Sequence, residues 1–212
     1  VQFFQYASFA FIQVSMMEEI TKYITFKWVS SERTSEKYNL PIAVMFYSMM
    51  ASVGFAIVEN ITYLMNTREG IVEFFQFMGQ RKNIYFNSIE MYSYINDSMM
   101  QVALLRAVSA VVMHMIAGVI MGYFLSKAHS IKYIASKTEM PKRKLKFHQW
   151  KYIIIAILSA AAYHGIYDFN LMLPRNNWVN YFHMLNIAGG LIVGKLLIDK
   201  LVCQSKELRQ KL

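Results

Sequence analysis

MMQVALLRAVSAVVMHMIAGVIMGYFLSKA, residues 99–128, carries a single charge, Arg106, before Lys127. About 20 mostly apolar residues cross a bilayer as a helix, and this stretch exceeds that length without a proline. Stretches 41–66, 150–173 and 178–203 have the same character. A fifth, 1–29, is rich in Phe, Tyr, Ile, Met and Ala but is interrupted by Glu18, Glu19 and Lys22. Transmembrane β-strands are about 10 residues long and alternate strictly in polarity, which these runs do not. The expected fold is therefore all-α, a polytopic transmembrane helical bundle with about five transmembrane helices in this chain, forming one membrane-embedded domain over 1–212.

Composition agrees. Of 212 residues, 56% are hydrophobic and 17% charged, far too apolar for an ordinary soluble domain. The first residues have neither the basic flank nor the small-residue cleavage site of a signal peptide, and a longer native N-terminus is expected. The single cysteine, Cys203, excludes an intrachain disulfide, and no Cys/His cluster is present to hold a structural zinc. A net charge of +9 raises the question of nucleic acid, but basic and aromatic residues do not interleave on any soluble segment large enough to bind it. Topology explains the charge instead. If five helices alternate direction, segments 27–40, 127–151 and the tail from Lys200 share one side and carry fifteen Lys or Arg. The opposite segments carry four: Arg68, Arg81, Lys82 and Arg175. The positive-inside rule then places the first set, with the C-terminus, in the cytoplasm. Segment 66–98, mixed apolar, aromatic and polar, is expected outside as an interfacial helix or partly ordered cap. The run Lys142, Arg143, Lys144, Lys146 is expected to contact anionic lipid.

Ionisable groups inside a membrane cost roughly 2.5 to 3.5 kcal/mol each, so Glu18, Glu19, Glu59 and Asp168 together oppose insertion by about 10 kcal/mol. Spacing groups them: Glu18 with Lys22, Phe55 with Glu59 and His164 with Asp168 are each four apart, on one helix face. His114, Gly118 and Gly122 share a face as well, and small residues at that spacing let another helix approach closely. Gly190 and Gly194 repeat the spacing, while His183, Asn186 and Gly190 suit interhelical hydrogen bonding. Counting 1.5 Å per residue from the cytoplasmic ends places Glu59 and Asp168 about 27 Å up and His114 and His164 about 20 Å up. Glu18 and Glu19 fall lower unless their helix continues past Val29 into 30–37.

Together, Glu18-Glu19-x-x-Lys22, Phe55-x-x-x-Glu59-Asn60, Arg106 with His114, and His164-Gly165-x-x-Asp168-Phe169 resemble the PrsW family of intramembrane proteases, across residues 18–169. That family looks distantly related to the type II CAAX prenyl endopeptidases. The resemblance implies a helical protease domain in a bacterial plasma membrane whose partners are the lipid bilayer and a single-pass membrane protein substrate, such as an anti-sigma factor cut near its extracytoplasmic side in stress signalling. Other classes lack their signatures: there is no HExxH, no GxSxG and no GxGD.

Peptide hydrolysis needs a base for water and donors for the oxyanion and leaving amine. Glu18 or Glu19 is the expected base, with Lys22 or Arg106 neutralising the other carboxylate. His164 would donate to the oxyanion or leaving group, Asp168 would fix its tautomer or, if protonated, add a second donor, and His114 would complete the water site. Glu59, beside Asn60, is either a second base or an orienter of a histidine. No cofactor is expected on this reading. The alternative within enzymes is a divalent metal such as zinc on His114, His164 and Glu59. The alternatives outside enzymes are a transporter or scaffold, since buried Glu-Lys and His-Asp pairs also lock helices together or relay protons.

Overall fold

The computed structural model describes residues 2–31, 40–82, 87–138, 141–174 and 177–210. Seven α-helices occur among them: α1 (Gln2–Ser8), α2 (Met16–Ser31), α3 (Pro41–Lys82), α4 (Ser88–Val108), α5 (Ala110–Thr138), α6 (Lys142–Met172) and α7 (Asn177–Gln210). Residues Phe9–Ser15, between α1 and α2, are π-helix. No strand occurs among the described residues, and the chain is an all-α membrane protein. Segments Pro41–Gln80, Ser88–Ile131 and Lys142–Met172 are long and apolar enough to cross a membrane.

Helix ends differ from the expected ones. The 66–98 segment is mostly helix, extending α3 to Lys82 and opening α4 at Ser88. It lacks proline, Asn87 accepts a hydrogen bond from the Ile89 amide at 3.1 Å as an N-cap, and Phe75 packs edge-on against Tyr94 at 5.6 Å. Apolar counting alone stops at the first polar residues and cannot see such local support. The basic run Lys142–Lys146 likewise forms the first turn of α6, after Pro141. Near the middle of 99–128, Ser109 interrupts the helix, its hydroxyl bonding Leu105 O at 2.7 Å. The proposed continuation of the first helix into 32–37 lies outside the described residues.

The helices group into two compact units, 1–53 with 113–212, and 54–112. In the larger unit α6 packs against α1, the π segment, α2 and α7. Its core is built from small and medium side chains: Ala156 and Ala160 of α6 meet Val44 of α3 and Ala117, Met121 and Leu125 of α5, flanked by Tyr23 and Phe26 of α2. A Cβ at Gly122 would stand 2.6 Å from the Met45 Cα, and one at Gly118 would stand 2.9 Å from the Met49 Cα. The two glycines therefore bring the α5 and α3 backbones into contact, as the spacing predicts. Gly190 of α7 instead makes room for a side chain, the Tyr163 ring of α6, whose hydroxyl reaches Asn186 O at 3.5 Å, while Tyr167 meets the His183 ring at 4.7 Å. Ile154, Leu158 and Ile192 stay exposed, as suits hydrocarbon-facing positions.

In the smaller unit, Arg106 of α4 reaches α3 three times: to Glu59 Oε1 at 2.9 Å, to Asn60 Oδ1 at 2.7 Å and over the Tyr63 ring at 3.6 Å. Planar guanidinium geometry suits all three contacts at once.

Because backbone atoms bound the space at Gly122, Gly122→Ala is expected to lower unfolding stability in detergent by about 1 to 3 kcal/mol. Gly54, with nothing within 4 Å of a built Cβ, should tolerate alanine or gain up to about 1 kcal/mol. Thermal melts of the two variants check the contrast; equal midpoints would contradict the close α3–α5 approach.

Candidate active site

Six of the residues singled out in the sequence come from three helices of the larger unit. Glu18, Glu19 and Lys22 occupy the first two turns of α2, His114 lies near the start of α5, and His164 and Asp168 lie one turn apart near the end of α6. Glu19, Lys22, His114 and His164 are buried to 2% exposure or less; Glu18 and Asp168 remain 18% and 15% accessible.

Glu19 Oε1 is the hub. It accepts from Lys22 Nζ at 2.6 Å and faces His164 Nδ1 at 2.9 Å. Lys22 Nζ also lies 2.7 Å from His114 Nδ1 and 3.7 Å from Glu18 Oε2. An ammonium only donates, so His114 Nδ1 accepts and its ring proton sits on Nε2. On the other side of His164, Nε2 is 3.2 Å from Asp168 Oδ2 and 3.7 Å from Glu18 Oε2. The two histidine rings meet edge-to-face at 4.9 Å. Glu19 and Asp168 thus grip His164 from both ring nitrogens, while Lys22 joins His114 to the glutamate pair. Glu19 Oε2 is buried with no hydrogen-bond partner among the described residues.

The local fold explains how α2 delivers both glutamates. Ser15, closing the π segment, hydrogen-bonds Ala10 O at 2.7 Å, five residues back, as a widened turn allows. Gly165, next to His164, leaves the space that the Phe11 ring of that segment fills, and Phe11 in turn lies 6.4 Å from Phe169. Neither Phe11 nor the π segment stands out in the sequence. Gly165 beside His164 is the one available signal, because no pattern of apolar residues marks an extra residue in a helical turn.

Glu59, Asn60 and Arg106 belong to the smaller unit, with the mutual contacts described above. The metal triad expected from the sequence pairs His114 and His164 with Glu59. Within the larger unit it is Glu18 that joins them, the three residues each offering a ligand atom within 4.8 Å of the others. Two histidines and a glutamate form a known catalytic zinc donor set, and a carboxylate behind a ligating histidine, as Glu19 stands behind His164, fixes the ring for metal binding. The donor types and their grouping fit a divalent cation. Lys22 opposes one, since its ammonium lies within 4 Å of both His114 and Glu18.

A profile of the family described as PrsW family intramembrane metalloprotease matches residues 1–193. Protease PrsW of Oceanobacillus iheyensis is 30% identical over 162 residues, covering 76% of this chain and 54% of that protein. Protease PrsW of Geobacillus kaustophilus is 23% identical over 182 residues, 86% of this chain and 60% of that protein. The namesake from Clostridioides difficile is 26% identical over 157 residues, 74% and 48% of the respective chains. The chain spans about half the length of the curated relatives it matches. No solved structure matches.

Removing Lys22 leaves carboxylates buried without their ammonium, so Lys22→Met should destabilise the protein by about 3 to 5 kcal/mol. Adding Glu19→Gln to it should restore part of that loss. A double-mutant cycle read by detergent melts tests this, and additive losses would mean that the two side chains are not coupled.

Proposed function

Because the chain belongs to the PrsW family, we propose that it is an intramembrane endopeptidase whose site is the Glu18, Glu19, Lys22, His114, His164 and Asp168 cluster. One observation carries this reading: a fully buried Glu19 holds both Lys22 and His164, while Glu18 and Asp168 remain partly accessible beside them. A merely structural pair needs no accessible carboxylates next to it.

In this reading Glu19 orients. Its Oε1 holds His164 Nδ1, so His164 presents Nε2 toward Glu18 and Asp168. Glu18, the more accessible glutamate, takes the proton of the attacking water, and Lys22 limits the repulsion between the two carboxylates. His164 Nε2 then serves the departing amine as a donor, and Asp168 holds that ring between proton transfers. His114 Nε2, left with its proton by the Lys22 contact, supplies a donor for the developing oxyanion.

A second form rests on the grouping of Glu18, His114 and His164. These three residues would hold a divalent cation such as zinc, which when bound polarises the scissile carbonyl and acidifies water. Asp168 is then the remaining accessible carboxylate to receive a proton, and Lys22 must withdraw from His114. Glu59, engaged by Arg106, is read as that arginine's charge partner rather than as a base.

The substrate class proposed is a single-pass membrane protein, with an anti-sigma factor cut near the extracytoplasmic face as the specific case. Support comes from the family membership and from the sequence count, which puts His114 and His164 in the outer half of a membrane with the basic segments and the C-terminus inside. A bacterial plasma membrane and a role in stress signalling belong to the same reading.

The test is cleavage of single-pass reporters by protein reconstituted in liposomes. Glu18→Gln and His164→Ala, each confirmed folded, should lower kcat by about 10²-fold or more, the size of a lost acid–base group. Chelator-resistant cleavage would favour the glutamate form; loss with the chelator and recovery with added zinc would favour the metal form. Full activity of both variants would remove the cluster from the chemistry.

A further inference from the structure

About 22 Å along α5 from His114, at the other end of the larger unit, the helices part around a cavity of about 430 Å³. Two helix faces make most of it. Tyr23, Phe26, Lys27 and Ser30 line it from α2; Lys146, Gln149, Trp150 and Ile153 line it from α6. Each set follows the same spacing of three, four and seven residues, so one stripe of each helix faces the space. His129 of α5 adds a third basic side chain, and among the described residues that line it none is acidic.

The cavity is amphipathic in an ordered way. Tyr23, Phe26 and Ile153 pack on the Val44, Ala117 and Ala160 cluster, so the inner wall is apolar. Lys27 and Lys146 are exposed, and Trp150 is 57% exposed, so the mouth is cationic and aromatic. Tryptophan and lysine at the end of a membrane helix belong to the level of lipid head groups. The space exceeds a lone phosphate and suits a phosphodiester with the first carbons of its chains.

From this, we infer that the cavity binds one anionic phospholipid, its phosphodiester between Lys27 and Lys146 and its glycerol and upper acyl carbons against Phe26, Trp150 and Ile153. The adjoining Lys142, Arg143 and Lys144 attract such lipids to the same end of α6. The bound lipid bridges α2 and α6, the helices that carry Glu18, Glu19 and Lys22 and His164 and Asp168, and so holds them in register from a distance. The site stands whether or not the chain cuts peptides.

Native mass spectrometry of the full chain, delipidated and then offered short-chain phosphatidylglycerol or phosphatidylcholine, tests it. One phosphatidylglycerol should be retained in preference to phosphatidylcholine. Lys27→Gln/Lys146→Gln should weaken retention about tenfold, whereas Lys200→Gln/Lys206→Gln, with the same charge change on α7, should not. Lys27→Arg/Lys146→Arg should retain the lipid, which separates lost charge from lost fold, and melts confirm that each variant is folded. Equal retention of the two lipids, equal weakening by the α7 variant, or displacement by glycerol phosphate at matching concentration would overturn the proposal, the last pointing to a soluble phosphate compound.

Discussion

The contact on which the larger unit depends is the Lys22–Glu19 ion pair, 2.6 Å long and shut away from solvent. Taking an ammonium and a carboxylate into a low-dielectric interior is costly, several kcal/mol per ion even after relaxation. The pair survives only because neighbours finish its hydrogen bonding: His114 takes a second Lys22 proton and His164 faces the same Glu19 oxygen. Each of those histidines comes from a different helix. The requirement to satisfy one buried charge therefore sets the relative placement of α2, α5 and α6, something apolar packing between lipid-like surfaces specifies poorly.

Such a cluster forms only where backbones come close, and the chain secures this by removing side chains. Gly118 and Gly122 admit α3 to α5, Ala156 and Ala160 keep the inner face of α6 shallow, and Gly165 admits Phe11 beside His164. The π segment works in the same direction. One widened turn shifts the angular position of everything after it, and the glutamates follow three residues later. A regular α-helix through 9–15 would present Glu18 and Glu19 on a different face.

What is legible in the sequence follows from what periodicity can carry. Long apolar runs imply membrane helices, and polar residues four apart inside them imply a shared face, so spacing alone groups Glu18 with Lys22 and His164 with Asp168. The glycine spacing on α5 is equally open to reading. Partners across helices are not, because spacing along one helix says nothing about which face meets which. Hence spacing offers Glu59 as a partner for the histidines but does not single out Glu18, which lies beside His114 and His164 within the larger unit, and it does not pair Glu59 with the guanidinium of Arg106 within the smaller one. Hence also hydropathy underestimates the amphipathic ends of α3, α4 and α6, whose helicity rests on a cap, ring packing and helix propensity.

The two polar clusters differ in charge balance. Glu59 and Arg106 cancel, and Asn60 and Tyr63 occupy the remaining surface of the guanidinium. Nothing in that arrangement asks for a further charge. In the other cluster Glu18 and Glu19 share one ammonium, Lys22, while a third carboxylate, Asp168, faces His164. Charge in an apolar surround is costly, and the excess here falls on the two carboxylates that stay partly accessible, Glu18 and Asp168. On the proposed reading, that excess is what a hydrolytic site uses, as a base for water or as donors to a divalent cation. A pair that only locks helices can be balanced, as Glu59 and Arg106 are, and the proposed reading rests on the contrast between the two clusters.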